Sequence, residues 1–420
     1  MSKYVVLFFV VAASAAFTTP PLYFFNASLL EHSLALISSK DPTVLPAYTL
    51  LLTTADKALS AKAWSVVDRY NASLIPFPMS NRSYTSVGFY YWPCTMTPPG
   101  RVPKNPSNCS KTTGLPWVYW DGEISPYVSS FDLDIWGSTA DSIQTLALAY
   151  YFTGGNETYA TKGIEVVRAW FTSQATGMLP NLDHAQFEPG VNTGTGSGCI
   201  DLDENIATGL LDCLSLLRVS SSWTSQDEGS LLAWVQAYTE WLLQSPNGHS
   251  ENRTVNNHKA YFDAQLLQLA LFAGNTTLAT LRAPAARAIL DAQIAPNGTL
   301  VYEVARTRSN HYVAFCLQAY LGLSSGAVRG GVDLWDYTTS QGSSMLAAIE
   351  AVMPYSNGSQ PWPFENLDGP AFNWASFFPV YRAAAWAVPQ DAAALMAASE
   401  STLNATKIDS LLRLLWPGPF

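Results

Sequence analysis

Charge is what this sequence has least of. Only 13% of its 420 residues are charged, roughly half the share usual in soluble proteins. Cations are the scarcer sign, with 22 Lys and Arg against 32 Asp and Glu, and the net charge is −10. No basic surplus is left to displace counterions from a phosphate backbone, so nucleic acid is excluded as a general partner. A hydrophobic share of 48% excludes a disordered chain. Long apolar runs are also missing. After the first residues every hydrophobic segment is broken by polar side chains at helical spacing, and none reaches the ~20 residues a membrane helix needs. The five histidines are scattered, with no His-Glu-X-X-His pattern, so neither metal nor cofactor is expected. Gly194-Thr195-Gly196-Ser197-Gly198 lacks the lysine and the preceding strand of a phosphate-cradling loop.

Residues 1–16 read as a secretory signal. Lys3 supplies the positive end, Tyr4 to Ala13 the apolar run and Ser14-Ala15-Ala16 the small residues. The expectation is a secreted protein with no membrane segment and one domain over 17–420. Asn-X-Ser/Thr sequons at Asn26, Asn71, Asn81, Asn108, Asn156, Asn252, Asn275, Asn297, Asn357 and Asn404 fit an N-glycosylated surface. Cys94 and Cys109 flank a Pro-rich loop, and Cys199 and Cys213 lie at a comparable separation, so two disulfides are expected there. Cys316 falls in an apolar helical pattern and reads as a buried free thiol.

The dominant hydrophobic period is 3.6. It predicts helices over roughly 26–40, 44–64, 137–153, 157–174, 203–219, 226–245, 257–273, 276–294, 309–323, 334–353, 372–387, 390–399 and 403–416. Gly154-Gly155, Pro246-Asn247-Gly248, Pro296-Asn297-Gly298 and Asn357-Gly358 punctuate them. Short connections make neighbours antiparallel. The fold class expected is all-α, an incomplete α/α toroid of helical hairpins around a central cleft, with long aromatic loops over it. The aromatic loop spans 77–132, and 176–200 is a second irregular stretch.

Two helix starts concentrate polar residues. Asn256-Asn257-His258 places an amide and an imidazole where the helix dipole favours anions. Arg306-Thr307-Arg308-Ser309-Asn310-His311-Tyr312 puts two guanidiniums, an imidazole and a phenol within seven residues. Together they supply one reaction, elimination across a 4-linked uronic acid. Amide, imidazole and guanidinium donors stabilise the enolate that forms when the C5 proton leaves. A tyrosine takes that proton and returns one to the leaving oxygen, provided cations lower its pKa. The other enzymatic reading is a glycoside hydrolase using paired carboxylates, drawn from Asp121, Glu123, Asp132, Asp134, Asp201, Asp203 and Glu204. A non-catalytic glycan-binding protein is the third.

Tyr90-Tyr91-Trp92-Pro93, Gly114-Leu115-Pro116, Asp121-Gly122, Pro180-Asn181-Leu182 with Gln186, Trp241-Leu242-Leu243, and the two helix-start motifs occur in one order along the chain. With these blocks the sequence resembles the alginate-lyase superfamily, the toroidal polyuronate lyases of polysaccharide lyase families 5 and 38. The resemblance implies an acidic polysaccharide substrate and a catalytic set of Tyr312, His258, Asn257 and Arg306, with Arg308 able to share or hold the role of Arg306. It implies substrate contacts from Arg308, His311, Asn256 and Gln186. Tyr91, Trp92 and Trp120 join them as stacking surfaces. The compact Arg306-Thr307-Arg308 spacing is closer to family 38, associated with glucuronan and mannuronan. Arg253, Lys259, Arg306 and Arg308 are expected to form a local basic patch. The oligomeric state is left open by the sequence.

Overall fold

The computed structural model describes residues 18–69, 77–104, 106–192, 194–196, 198, 201–369, 374–402 and 411–418. The expected signal segment, Asn71, Asn404 and Cys199 lie outside these. Helices dominate, as the period predicts. The first group is α1 (Ala27–Ser38), α2 (Leu45–Leu59), α3 (Leu133–Phe152), α4 (Glu157–Val167), α5 (Asp203–Asn205), α6 (Leu211–Arg218), α7 (Ser225–Gln244) and α8 (Pro246–Glu251). The second group is α9 (Asn257–Phe272), α10 (Thr276–Arg282), α11 (Ala285–Gln293), α12 (Ser309–Arg329), α13 (Met345–Glu350), α14 (Met353–Ser356), α15 (Phe378–Ala387), α16 (Ala392–Thr402) and α17 (Leu412–Leu415). Among the described residues no helix is long and apolar enough to cross a membrane.

Two large apolar clusters fill the interior with α9 as the wall between them, and a small third one of Val87, Val128, Phe131 and Phe187 lies under the aromatic loop. Phe262, Leu266, Leu269 and Phe272 join the cluster built on α2, α3, α4, α6 and α7. Ala260, Tyr261, Ala264, Leu267 and Ala270 join the one built on α11, α12 and α15. A helix buried on both sides needs no solvent-facing polar stripe, and in α9 the polar Asp263, Gln265 and Gln268 are buried along with the apolar residues. Helix α12 runs beside α9 in the same direction. Tyr261 and Phe315 meet at 4.4 Å between ring centroids near the starts, and Gly326 lies against Leu267 further along. Both polar N-termini therefore open on one end of the molecule.

Three expected helices are interrupted, each for a local reason. The stretch 276–294 breaks at Ala283-Pro284, because proline has no N–H to continue the ladder. The stretch 203–219 is broken by Gly209, whose φ of +118° is open to glycine. The stretch 334–353 starts as helix only at Met345, where the Ser344 side chain caps the Ala347 N–H. Pro246-Asn247-Gly248 does not merely end a helix. Ser245 closes α7 and caps α8, which begins at Pro246.

The aromatic loop is ordered by short strands. β2 (Tyr91–Pro93) pairs antiparallel with β3 (Trp117–Tyr119), with Tyr91 opposite Tyr119 and Pro93 opposite Trp117. The Cys94–Cys109 disulfide closes the excursion between them, as expected. β1 (Thr85–Val87) pairs parallel with β4 (His184–Phe187), fastening this loop to the second irregular stretch. The expected second disulfide is not formed, since Cys213 is a free thiol in the α6 core. Cys316 is buried and free, as its helical setting predicts.

Candidate active site

Tyr312 is the fourth residue of α12, and the segment just before this helix wraps its hydroxyl. Arg306 donates to the Tyr312 oxygen from Nη2 at 2.8 Å, and its guanidinium lies 3.7 Å from the Tyr312 ring centroid. The Tyr90 hydroxyl forms a short hydrogen bond to the same oxygen. Burial pushes the Tyr312 hydroxyl well above the ordinary tyrosine range, and Arg306 opposes the rise without reversing it, so the expectation that cationic neighbours lower this pKa is not met.

Arg306 is fixed by Asp121 at the end of β3. Its Nη2 lies 2.5 Å from Asp121 Oδ1, and Nε donates to both carboxylate oxygens. Asp121 also accepts from the Thr307 backbone N–H and hydroxyl and from the Tyr119 hydroxyl. Burial alone would raise this carboxyl, yet Arg306, Tyr119 and Thr307 together hold it far below the usual carboxylate range. Arg308 is paired with Asp368 at 2.7 Å and does not share this arrangement.

The α9 side is assembled the same way, by carboxylates behind the working groups. Glu303 accepts from the backbone N–H and side-chain amide of Asn257, both at 2.7 Å, which ties the segment before α12 to the start of α9. His258 Nδ1 lies 2.9 Å from Glu251 Oε2 on α8. Burial would lower the His258 pKa, but the Glu251 hydrogen bond and the charges of Glu251 and Glu303 outweigh it, and the net shift is upward. Asn256 occupies the N-cap position, with its backbone oxygen accepting from Gln293 Nε2 at 2.8 Å.

Gln186 sits at a left-handed φ of 53° on β4 and donates to Asp201 at 2.7 Å. A Cβ placed on Gly198 would sit 3.3 Å from Glu251 and 3.8 Å from Gln186, so these two side chains converge there. The structure thus brings Tyr312, Arg306, Asn257 and His258 into one charge network, with Arg308 and His311 at its edge. His311 stacks on Phe315 and is pushed down to about 4 by burial and by Arg308, so it is neutral near pH 7.

The aromatic residues divide. Tyr91 is half-buried against Tyr119, its hydroxyl pushed up to about 12 by burial and by Glu188. Trp92 and Trp120 are buried, Trp92 donating to the Glu123 carbonyl and Trp120 lying under Lys104. Both fill the loop, where the sequence reading offered them as stacking surfaces. The basic patch is also reduced: Arg306 and Arg308 are matched by Asp121 and Asp368, Lys259 shares Asp263 with Arg282, and Arg253 makes no ion pair among the described residues. Most carboxylates offered for hydrolysis have other work. Glu123 pairs with Arg101, Asp132 with Arg69, and Asp201 accepts from Tyr84, Ser86 and Gln186.

Sequence reasoning missed the supports Glu251, Glu303 and Asp368, and gave the Tyr90 hydroxyl no role. Nothing in a single sequence marks a carboxylate seven residues before a histidine as its partner.

Residues 81–362 match the sequence profile of the family described as alginate lyase. No curated protein matches the chain. Among solved structures, an alginate lyase from Bacteroides ovatus is 28% identical, with a TM-score of 0.82 over 94% of this chain and 99% of that one. Alginate lyase A1-III from Sphingomonas species A1 has the same fold at 15% identity and a TM-score of 0.51, over 90% of this chain and 97% of its own. A variant of alginate lyase A1-III complexed with a tetrasaccharide matches with a TM-score of 0.53, at 15% identity over 91% and 97%. The expected α/α toroid is the shared fold. The chain belongs to the alginate-lyase family and is a polysaccharide lyase.

Proposed function

We propose that this lyase cleaves a β-1,4-linked polyuronate, mannuronan/alginate or glucuronan, with Tyr312 as base and acid. The observation that carries the reading is the Tyr312 hydroxyl held by Arg306, with Asn257 and His258 braced beside it by Glu303 and Glu251. Amide and imidazolium donors would take the C6 carboxylate and stabilise the enolate as C5 loses its proton. The Tyr312 oxygen takes that proton. The electron pair then forms C4=C5 as the C4–O4 bond breaks, and O4 leaves with the proton from Tyr312. The tetrasaccharide bound by A1-III supports an extended glycan as ligand.

The experiment is to offer polymannuronate, polyguluronate, glucuronan and a neutral glucan, and to follow the ultraviolet absorbance of the unsaturated uronate. A rise on one polyuronate is expected, falling roughly 10²–10⁴-fold or more in Tyr312→Phe. New reducing ends without that absorbance would overturn the reading.

Secretion is part of the same proposal. The Cys94–Cys109 disulfide supports an oxidising compartment. The described sequon asparagines are exposed, except half-buried Asn252, whose amide oxygen accepts from Lys259 and Arg282. Recovery from the culture medium, with a mass that falls on deglycosylation, is the expected result.

A further inference from the structure

We propose that Tyr90 is a positioning residue for the elimination: its hydroxyl keeps its own proton and donates to the Tyr312 oxygen, so that Tyr312 carries the negative charge. This rests on the reading of Tyr312 as the base.

The two hydroxyls share one hydrogen bond. Once one proton has left the pair, the other has two places to sit, and only one of them leaves Tyr312 able to take a proton from C5. The surroundings are unequal. Arg306 donates to the Tyr312 oxygen, and its guanidinium carbon is 3.7 Å from the Tyr312 ring but 5.9 Å from the Tyr90 ring. Tyr312 is the more deeply buried of the two, which opposes a charge there. The guanidinium hydrogen-bonded to its oxygen is the direct contact that offsets this cost, and it places the phenolate at Tyr312 and the remaining proton on Tyr90. Two donors, one N–H and one O–H, then converge on one oxygen, which is how a buried anion is held.

The other charged groups act on this pair from named places. Asp121, at the end of β3, offsets Arg306. Arg308, ahead of α12, acts more on Tyr90 than on Tyr312 but is offset by Asp368. His311 beside Tyr312 is neutral. His258 and Glu303 reach the pair through their effect on Arg306. None of these donates a second hydrogen bond to the Tyr312 oxygen.

The cycle balances without Tyr90 giving up its proton. Tyr312 gains a proton from C5 and loses one to O4, returning to phenolate, and the initial proton goes to solvent. Tyr90 sets how readily that initial proton leaves.

The test is the pH–rate profile of Tyr90→Phe beside those of the wild type and Tyr312→Phe. Phenylalanine keeps the ring that packs on Phe89 and Tyr119. Tyr90→Met, which also lacks the donor, carries the same expectation if the first variant folds poorly. The limb on which activity rises with pH should move up by about one to two units, the loss of one hydrogen bond to a charged group. At neutral pH kcat should fall about 10- to 100-fold with KM little changed, and raising the pH should restore it. Ultraviolet titration of the tyrosinate that is absent in Tyr312→Phe should follow the same shift. An unmoved limb, a limb moved to lower pH, or a change confined to KM would each overturn the proposal. Full activity in Tyr312→Phe would instead overturn the reading on which it rests.

Discussion

His258 shows how one buried carboxylate decides the charge of a working side chain. Desolvation favours the neutral imidazole, and Glu251, 2.9 Å away and almost wholly buried, reverses the outcome. The shift favours the cationic form where a uronate carboxylate would arrive. Glu251→Gln keeps the shape and removes the charge. The His258 pKa should drop below its ordinary value of about 6.5, and kcat/KM at neutral pH should fall roughly tenfold or more. The sign follows from a folded pKa that is raised. The pair's contribution to stability is fully present below about pH 6.5 and is lost as pH rises through the folded value. The gap in melting temperature between wild type and variant should therefore be widest on the acid side, and an NMR titration of the His258 ring gives the pKa directly. A ring titration unchanged in the variant would remove Glu251 from this role. Asn257, His258, Arg306 and Tyr312 were legible in the sequence because rare polar types crowd two helix starts in a chain poor in charge. Glu251 and Glu303 were not, and Asp121 stood out only as a candidate acid for hydrolysis, since a carboxylate that braces a distant residue looks like any other until the chain is folded.

At the scale of elements, the site depends on a loop closing onto a helix start, and Gly122 is where the two come closest. It follows Asp121 with φ at +76°, and a Cβ there would sit 2.5 Å from the Thr307 hydroxyl and 3.0 Å from the Arg308 Cγ. Gly122→Ala adds backbone strain of roughly 1–2 kcal/mol and pushes the end of β3 off the Arg306 segment. The expected outcome is a loss of about 1–3 kcal/mol in chemical denaturation together with at least a tenfold loss of kcat, because Asp121 no longer fixes Arg306. Equal activity in the variant would show that this approach is not needed. The same close contact explains what the helical period left unseen. Periodicity reports which face of a segment is buried, so α9 and α12 were readable from it. It says nothing of turns made by Pro284, Gly209 or the Ser344 cap, and it cannot place a loop held by a two-residue approach.

For the whole molecule the question is how an acidic protein meets an acidic polymer. The net charge is −10, and a cleft that focused positive potential would offset it. The site has little of that surplus: Arg306 is matched by Asp121, Arg308 by Asp368 and His258 by Glu251, while Lys259 and Arg282 share Asp263. These pairs fix donors in place, and their fields largely cancel beyond a few ångströms. Long-range attraction is then weak while the overall repulsion remains, so salt should help the encounter. Raising ionic strength from about 0.01 to 0.15 M shortens the screening length from about 30 to about 8 Å. The expected result is a kcat/KM on the preferred polyuronate that rises a few-fold over this range while kcat stays level, since the hydrogen-bonded donors act at contact distance. A kcat/KM that falls with salt would mean that a positive field steers the substrate, and the pairing of Arg306 and Arg308 would then have to open when the polymer binds.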